Sequence, residues 1–118
     1  DETAEQIHDV YDKTGYVMDT HTAVASYVCS RYEQSEKTGK KYLIASTASP
    51  YKFVKSVMTA IDAKYAEEDE FALLPKLQEL SQVDMPQAIK DILDANVLHN
   101  IECDVDQMEE TVKQILNR

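Results

Sequence analysis

The chain has 118 residues, 43% of them hydrophobic and 29% charged, and carries a formal net charge of −10. That length supports one ordinary domain with a real core rather than two large lobes, and the composition is that of a soluble globular protein. The acidic excess repels phosphate backbones and anionic lipid, so nucleic acid and membranes are set aside as partners, and no apolar run reaches the roughly 18 to 20 residues of a membrane span.

The charge is uneven: residues 1–61 hold 8 acidic and 7 basic side chains, whereas residues 62–118 hold 14 and 5. Anion-binding chemistry is therefore expected in the first half. The polar, acidic opening segment is neither a secretion signal nor a transit peptide, and the absence of an initiator Met fits a fragment of a longer chain as well as it fits trimming. Cys29 and Cys103 are the only cysteines and form no C-x-x-C, which reads as two reduced core residues of a cytosolic protein.

In chain order, Thr3 is placed to cap a first helix with Ala4, Ile7, Val10 and Tyr11 on one face and Gly15 at its end. Asp19 or Thr20 can cap a second helix, whose stripe is His21, Ala25, Val28, Cys29 and Tyr32. A polar stretch closing on Gly39 follows. The run Lys41-Tyr42-Leu43-Ile44-Ala45-Ser46-Thr47 is short, mostly apolar and bounded by turn residues, which predicts a buried strand covered by the second helix. Ser49 and Pro50, a capping hydroxyl and a first-position proline, then open a helix that buries Phe53, Val54, Val57, Met58 and Ile61.

The acidic run Glu67-Glu68-Asp69-Glu70 marks a solvated turn or helix start. Phe71, Leu74, Leu77 and Leu80 suggest a helix with Pro75 near its first turn. Pro86 begins another, carrying Ile89, Ile92 and Leu93. Residues 97–103 are a candidate second strand. Asp104 and Gln107 form the pattern of a capping box for a last helix bearing Val105, Met108, Val112, Ile115 and Leu116. The fold class is thus α/β and mostly helical, with one or two short buried strands. Two regions are expected: residues 1–64 as part of an α/β domain, and residues 65–118 as an acidic helical tail.

The segment Ser46-Thr47-Ala48-Ser49-Pro50-Tyr51-Lys52-Phe53 concentrates the chemistry. Small, hydroxylated residues lead from the predicted strand into a helix N-terminus, where free N–H groups and partial positive charge collect and where α/β proteins bind ligands. On these grounds alone a capped strand-to-helix turn is the favoured reading, with Lys52 and Lys55 as ordinary solvated lysines. His8 and His99 are isolated, no metal-ligand spacing is present, and no G-x-S-x-G supports a nucleophile.

This segment is similar to a threonine synthase signature in which small-Thr-Ala-His-Pro-x-Lys-Phe follows a strand. The earlier element Gly15-Tyr16-Val17-Met18-Asp19-Thr20-His21-Thr22-Ala23-Val24-Ala25 resembles that family's Gly-Tyr-x-x-Asp/Glu-Pro-His-Thr/Ala-Ala-Val-Ala, in the same order along the chain. Together they cover roughly residues 13–58. Ser49 stands where the family often has histidine and Thr20 where it often has proline; both open helices, where Ser and Thr cap well.

The resemblance implies a fold-type II enzyme dependent on pyridoxal 5′-phosphate (PLP) that converts O-phospho-L-homoserine and water into threonine and phosphate. By position, Thr47 is then the hydroxyl that bonds the pyridine nitrogen, and His21, Ser46 and Ser49 are candidates for support behind it. For His21 a packed histidine satisfied by backbone hydrogen bonds is the favoured reading. The family's cofactor-bearing lysine and phosphate loop lie upstream of these motifs. With Gly15 and Gly39 its only glycines, this sequence offers no phosphate cradle and no catalytic residue of its own. The expected partners are the rest of a threonine synthase chain, a small-molecule substrate and, for the isolated piece, other copies of itself. A tryptophan synthase β-like or cystathionine synthase-like enzyme, or a stand-alone acidic helical interaction module, are the competing readings; the coding sequence upstream of Asp1 separates them.

Overall fold

The computed structural model describes residues 1–116. Among them the chain forms six α-helices and three short 3-10 turns, and no strand. The helices are α1 (Glu2–Thr14), α2 (Thr20–Glu36), α3 (Val54–Ile61), α4 (Glu70–Ser81), α5 (Gln87–Leu93) and α6 (Met108–Ile115). The mostly helical character follows the sequence.

Helix boundaries are set by local stereochemistry. Asp1, rather than Thr3, caps α1 by accepting from the Ala4 amide at 3.0 Å. Gly15 ends α1 at φ 73° and returns its N–H to the Tyr11 carbonyl, a left-handed conformation that costs a side-chain-bearing residue about 1 kcal/mol or more. Asp19 caps α2. Ser49 caps a 3-10 turn, Pro50–Phe53, which runs directly into α3. Asp69 caps α4, so the acidic run is a helix start. Pro75 is the sixth residue of α4, in its second turn rather than its first.

The core is assembled on α3. Val54, Val57, Met58 and Ile61 are buried and Phe53 half-buried, the face expected from the sequence. Each such burial contributes about 1.5–3 kcal/mol. Ile7 of α1, Leu73, Leu74 and Leu77 of α4, and Tyr51, Val17, Met18 and Met85 complete it. The buried Tyr51 hydroxyl donates to the Val83 carbonyl at 2.5 Å, tying the 3-10 turn to the segment after α4.

Several expectations are corrected. Residues 41–47 are irregular and, apart from half-buried Ile44, exposed; Leu43 is 99% exposed. A strand needs a neighbour to complete its ladder, and none of the described residues supplies one. Residues 97–103 are likewise irregular and exposed, so Cys103 is not the core residue expected, and Cys29 is only half-buried. The apolar stripe of α2 faces outward: Val28 and Tyr32 are 59% and 52% exposed, while Thr22 and Ala23 are buried. On α4, Phe71 is exposed and Leu73 takes its place in the core. The Asp104–Gln107 capping box does not form, since neither residue makes a side-chain cap bond.

After Met85 the chain leaves the core. No residue of α5 or α6 is buried, although Ile89 packs against the core edge. The radius of gyration, 18.6 Å, exceeds the roughly 13 Å of a compact domain of this size, as a projecting tail requires.

Candidate functional site

The first turn of α2 carries the one buried carboxylate of the described core. Asp19 sits in an extended conformation before the helix, and its side chain is fully buried. Oδ1 accepts the backbone N–H groups of His21 at 2.8 Å and Thr22 at 3.2 Å. Oδ2 accepts the Thr22 hydroxyl and, at 3.3 Å, that of Ser46; the Thr22 and Ser46 oxygens lie 2.9 Å apart. Burial pushes the Asp19 carboxyl up, but the bonds from the Thr22 hydroxyl, the two amides and Ser46 outweigh it and hold the group below its ordinary value of 3.8.

This shift has a sign for acid stability. A depressed folded pKa stabilises the fold above the unfolded pKa, and that contribution is lost as pH falls through the folded value. The stability gap between the native chain and Asp19→Asn is therefore expected at pH 6 and should shrink by about pH 3. Urea midpoints at the two pH values measure it; an unchanged gap contradicts an ionised, hydrogen-bonded Asp19.

His21 follows on the surface, its side chain 65% exposed. Its Nδ1 is 3.6 Å from Asp19 Oδ1, too far for a hydrogen bond, and its ring rests 5.1 Å from that of Phe53. A surface depression of about 350 Å³ adjoins it, between α1, α2 and Ser56; Thr47 is not among the residues lining it. Thr47 itself is exposed, next to Ser46. The Ser49 hydroxyl accepts the Tyr51 amide at 3.3 Å, so it serves as a cap.

The two sequence elements therefore meet in space, through Ser46 on Asp19 and Thr22 and through Phe53 on His21. Asp19 was read in the sequence as a cap and, with Thr22, as part of the resemblance motif, but neither was named as a site residue; apart from that motif the signal was an Asp-x-x-Thr at a helix start, which is common. Residues 22–115 match the family model described as threonine synthase, C-terminal. The chain belongs to that family. The match takes in the acidic tail as well as the second motif, further than the two motifs alone reach.

Threonine synthases are PLP-dependent lyases in their full-length form. Of that cofactor, the residues present fit one edge. Thr47 and Ser49 provide neutral hydroxyls of the kind suited to a ring nitrogen, whereas the Ser46 hydroxyl is engaged with Asp19 and Thr22. The aldehyde and phosphate ends find no counterpart among the described residues. Lys13, Lys64, Lys76 and Lys113 pair with carboxylates, Lys55 donates to the Glu68 carbonyl, and Lys37, Lys40, Lys41, Lys52 and Lys90 are exposed. Gly15 and Gly39 serve positive-φ positions with open space around them, not a tight anion cradle. No group of metal-ligating side chains occurs among the described residues, nor any helix long and apolar enough to cross a membrane.

Proposed function

We propose that this chain is the C-terminal part of a threonine synthase that converts O-phospho-L-homoserine and water into L-threonine and phosphate, with Thr47 as its contact to the pyridine nitrogen of PLP. The observation that carries the reading is the convergence of the Asp19–Thr22 turn with the Ser46–Phe53 segment. PLP, when bound, supplies the electron sink for proton movement at the substrate's α and β carbons, and the protein sets its electronics. The Thr47 hydroxyl donates to the ring nitrogen without placing a proton on it, as a carboxylate would. That keeps the sink moderate. Ser46 and Ser49 hold the segment in place, and Phe53 packs against His21 at its edge.

The outward faces have a place in this reading. Val24, Val28 and Tyr32 of α2, exposed Leu43, and Met108, Val112 and Ile115 of α6 form apolar surface that the rest of the threonine synthase chain covers. Separated from it, those faces favour self-association. Two free cysteines suit a cytosolic enzyme.

Two measurements test the proposal. Full-length enzyme bearing this region should release phosphate from O-phospho-L-homoserine and form threonine in step with it; no release contradicts the assignment. The isolated 118-residue chain should emerge from gel filtration with PLP lacking a stoichiometric chromophore. A one-to-one adduct mapped to a single lysine of this chain would overturn the division of labour proposed here, whereas scattered surface-lysine labelling is expected of any protein.

A further inference from the structure

We infer that Asp19 is a positioning residue for the Thr47 hydroxyl, acting through Ser46. The inference rests on the reading of Thr47 as the cofactor contact and adds the device that holds it there.

Residues 37–49 have no regular structure to fix them. Their first part is folded onto Glu33, which accepts from the Thr38 and Tyr42 hydroxyls and the Gly39 amide. Their last residue, Ser49, caps the turn that follows. Among the described residues, the stretch 43–48 between these anchors is hydrogen-bonded to the helices through the Ser46 hydroxyl alone, at Asp19 and Thr22. Thr47 is the next residue, its Cα about 3.8 Å further on. Fixing Ser46 therefore restricts where the Thr47 backbone can go.

Asp19 is suited to be the fixed end. It is buried, it caps α2 through two backbone amides, and it lies next to core residues Val17 and Met18. The direction of the hydroxyl protons follows from its charge. An ionised carboxylate only accepts, so the single Thr22 proton goes to Oδ2, and the Ser46 proton goes either to Oδ2 or to the Thr22 oxygen. Both arrangements point inward and leave the outer lone pairs of Ser46 free. A charge-assisted bond of this kind is roughly twice as strong as a neutral one. An amide at position 19 would keep an oxygen for the helix amides but present donors to Thr22. The chain of hydroxyls would then run outward, without the charge that anchors it.

The test uses full-length threonine synthase variants, read by the cofactor absorbance spectrum and by kcat and KM separately. Ser46→Ala removes the strap from an exposed residue without touching the α2 cap, so it reports even where Asp19→Asn folds poorly. Both should shift the spectrum in the same direction as Thr47→Val and lower kcat by roughly tenfold, as loss of one positioning bond does, with KM nearly unchanged. Ser46→Thr, which keeps the hydroxyl, should restore both readouts. Ser46→Ala combined with Thr47→Val should be no worse than Thr47→Val alone, since Ser46 acts through Thr47. If Thr47→Val alters the cofactor but Ser46→Ala and Asp19→Asn do not, the positioning role is wrong and the Thr47 contact stands. Full additivity of the double variant also refutes it. If Thr47→Val is silent, the Thr47 contact itself fails and the positioning role with it.

Discussion

Thr47→Val in full-length threonine synthase should reduce turnover about ten- to a hundredfold. On the proposed contact, the substitution keeps the shape of the side chain and removes its only donor, leaving the ring nitrogen without its partner, a loss of about 1–3 kcal/mol. Thr47→Ser retains the donor and nearly the reach, so most activity should survive. Thr47→Asp should behave differently, because a carboxylate draws a proton onto the ring nitrogen, shifts the cofactor spectrum and favours side reactions over phosphate release. A threonine that merely packs or caps gives another pattern, in which Val is tolerated or costs stability while turnover per folded molecule is unchanged. Turnover and spectra on equally folded variants distinguish the two, and wild-type values for Thr47→Val would remove Thr47 from the site.

The largest effect on the fold should come from Leu73. It is fully buried against α3, and trimming such a leucine to alanine costs about 2–5 kcal/mol, depending on how far the cavity collapses. That is a large part of the 5–15 kcal/mol by which domains are typically stable. Phe71→Ala, on the same helix but 56% exposed, should change stability by less than about 1 kcal/mol. Urea titration of each variant, followed by far-ultraviolet circular dichroism, compares their midpoints at constant slope. Equal midpoints for the two variants would mean that α4 is rotated from the orientation described.

Phe71 also shows where sequence pattern stops. The spacing of Phe71, Leu74, Leu77 and Leu80 fits a helix face, but Phe71 and Leu73 lie about 200° apart on the helix, and only packing against α3 selects between them. The same limit appears on α2. Its apolar stripe is real, yet α1 packs against the small side of the helix, where Ala23 is buried and Ser26 accepts from Gln6 at 3.1 Å. The stripe is left facing outward.

What the sequence determined by itself was much of what depends on a few neighbouring residues, although it put the α1 cap at Thr3 instead of Asp1 and expected a capping box at Asp104 that does not form. Gly15 had to end α1, because a left-handed backbone is least costly without a side chain. Asp19 or Thr20, Ser49 with Pro50, and the acidic run at Asp69 were legible as helix starts, because side chains there satisfy amides two or three residues ahead. The buried face of α3 was also legible, since Val54, Val57, Met58 and Ile61 share one side of the helix and all four are buried. The resemblance carried by two ordered motifs placed the chain in its family before any geometry was known.

Only the tertiary structure decided the rest. A strand at residues 41–47 depends on partners far along the chain, and apolar composition cannot supply them. The Asp19–Thr22–Ser46 contact spans 27 residues, a distance over which hydroxyl and carboxyl side chains give no periodic signal. Its stability comes from a buried charge that must be satisfied wherever the fold puts it. Local stereochemistry is written in adjacent residues, whereas the meeting of Ser46 with Asp19 follows from how α1, α2 and α3 pack around a common core.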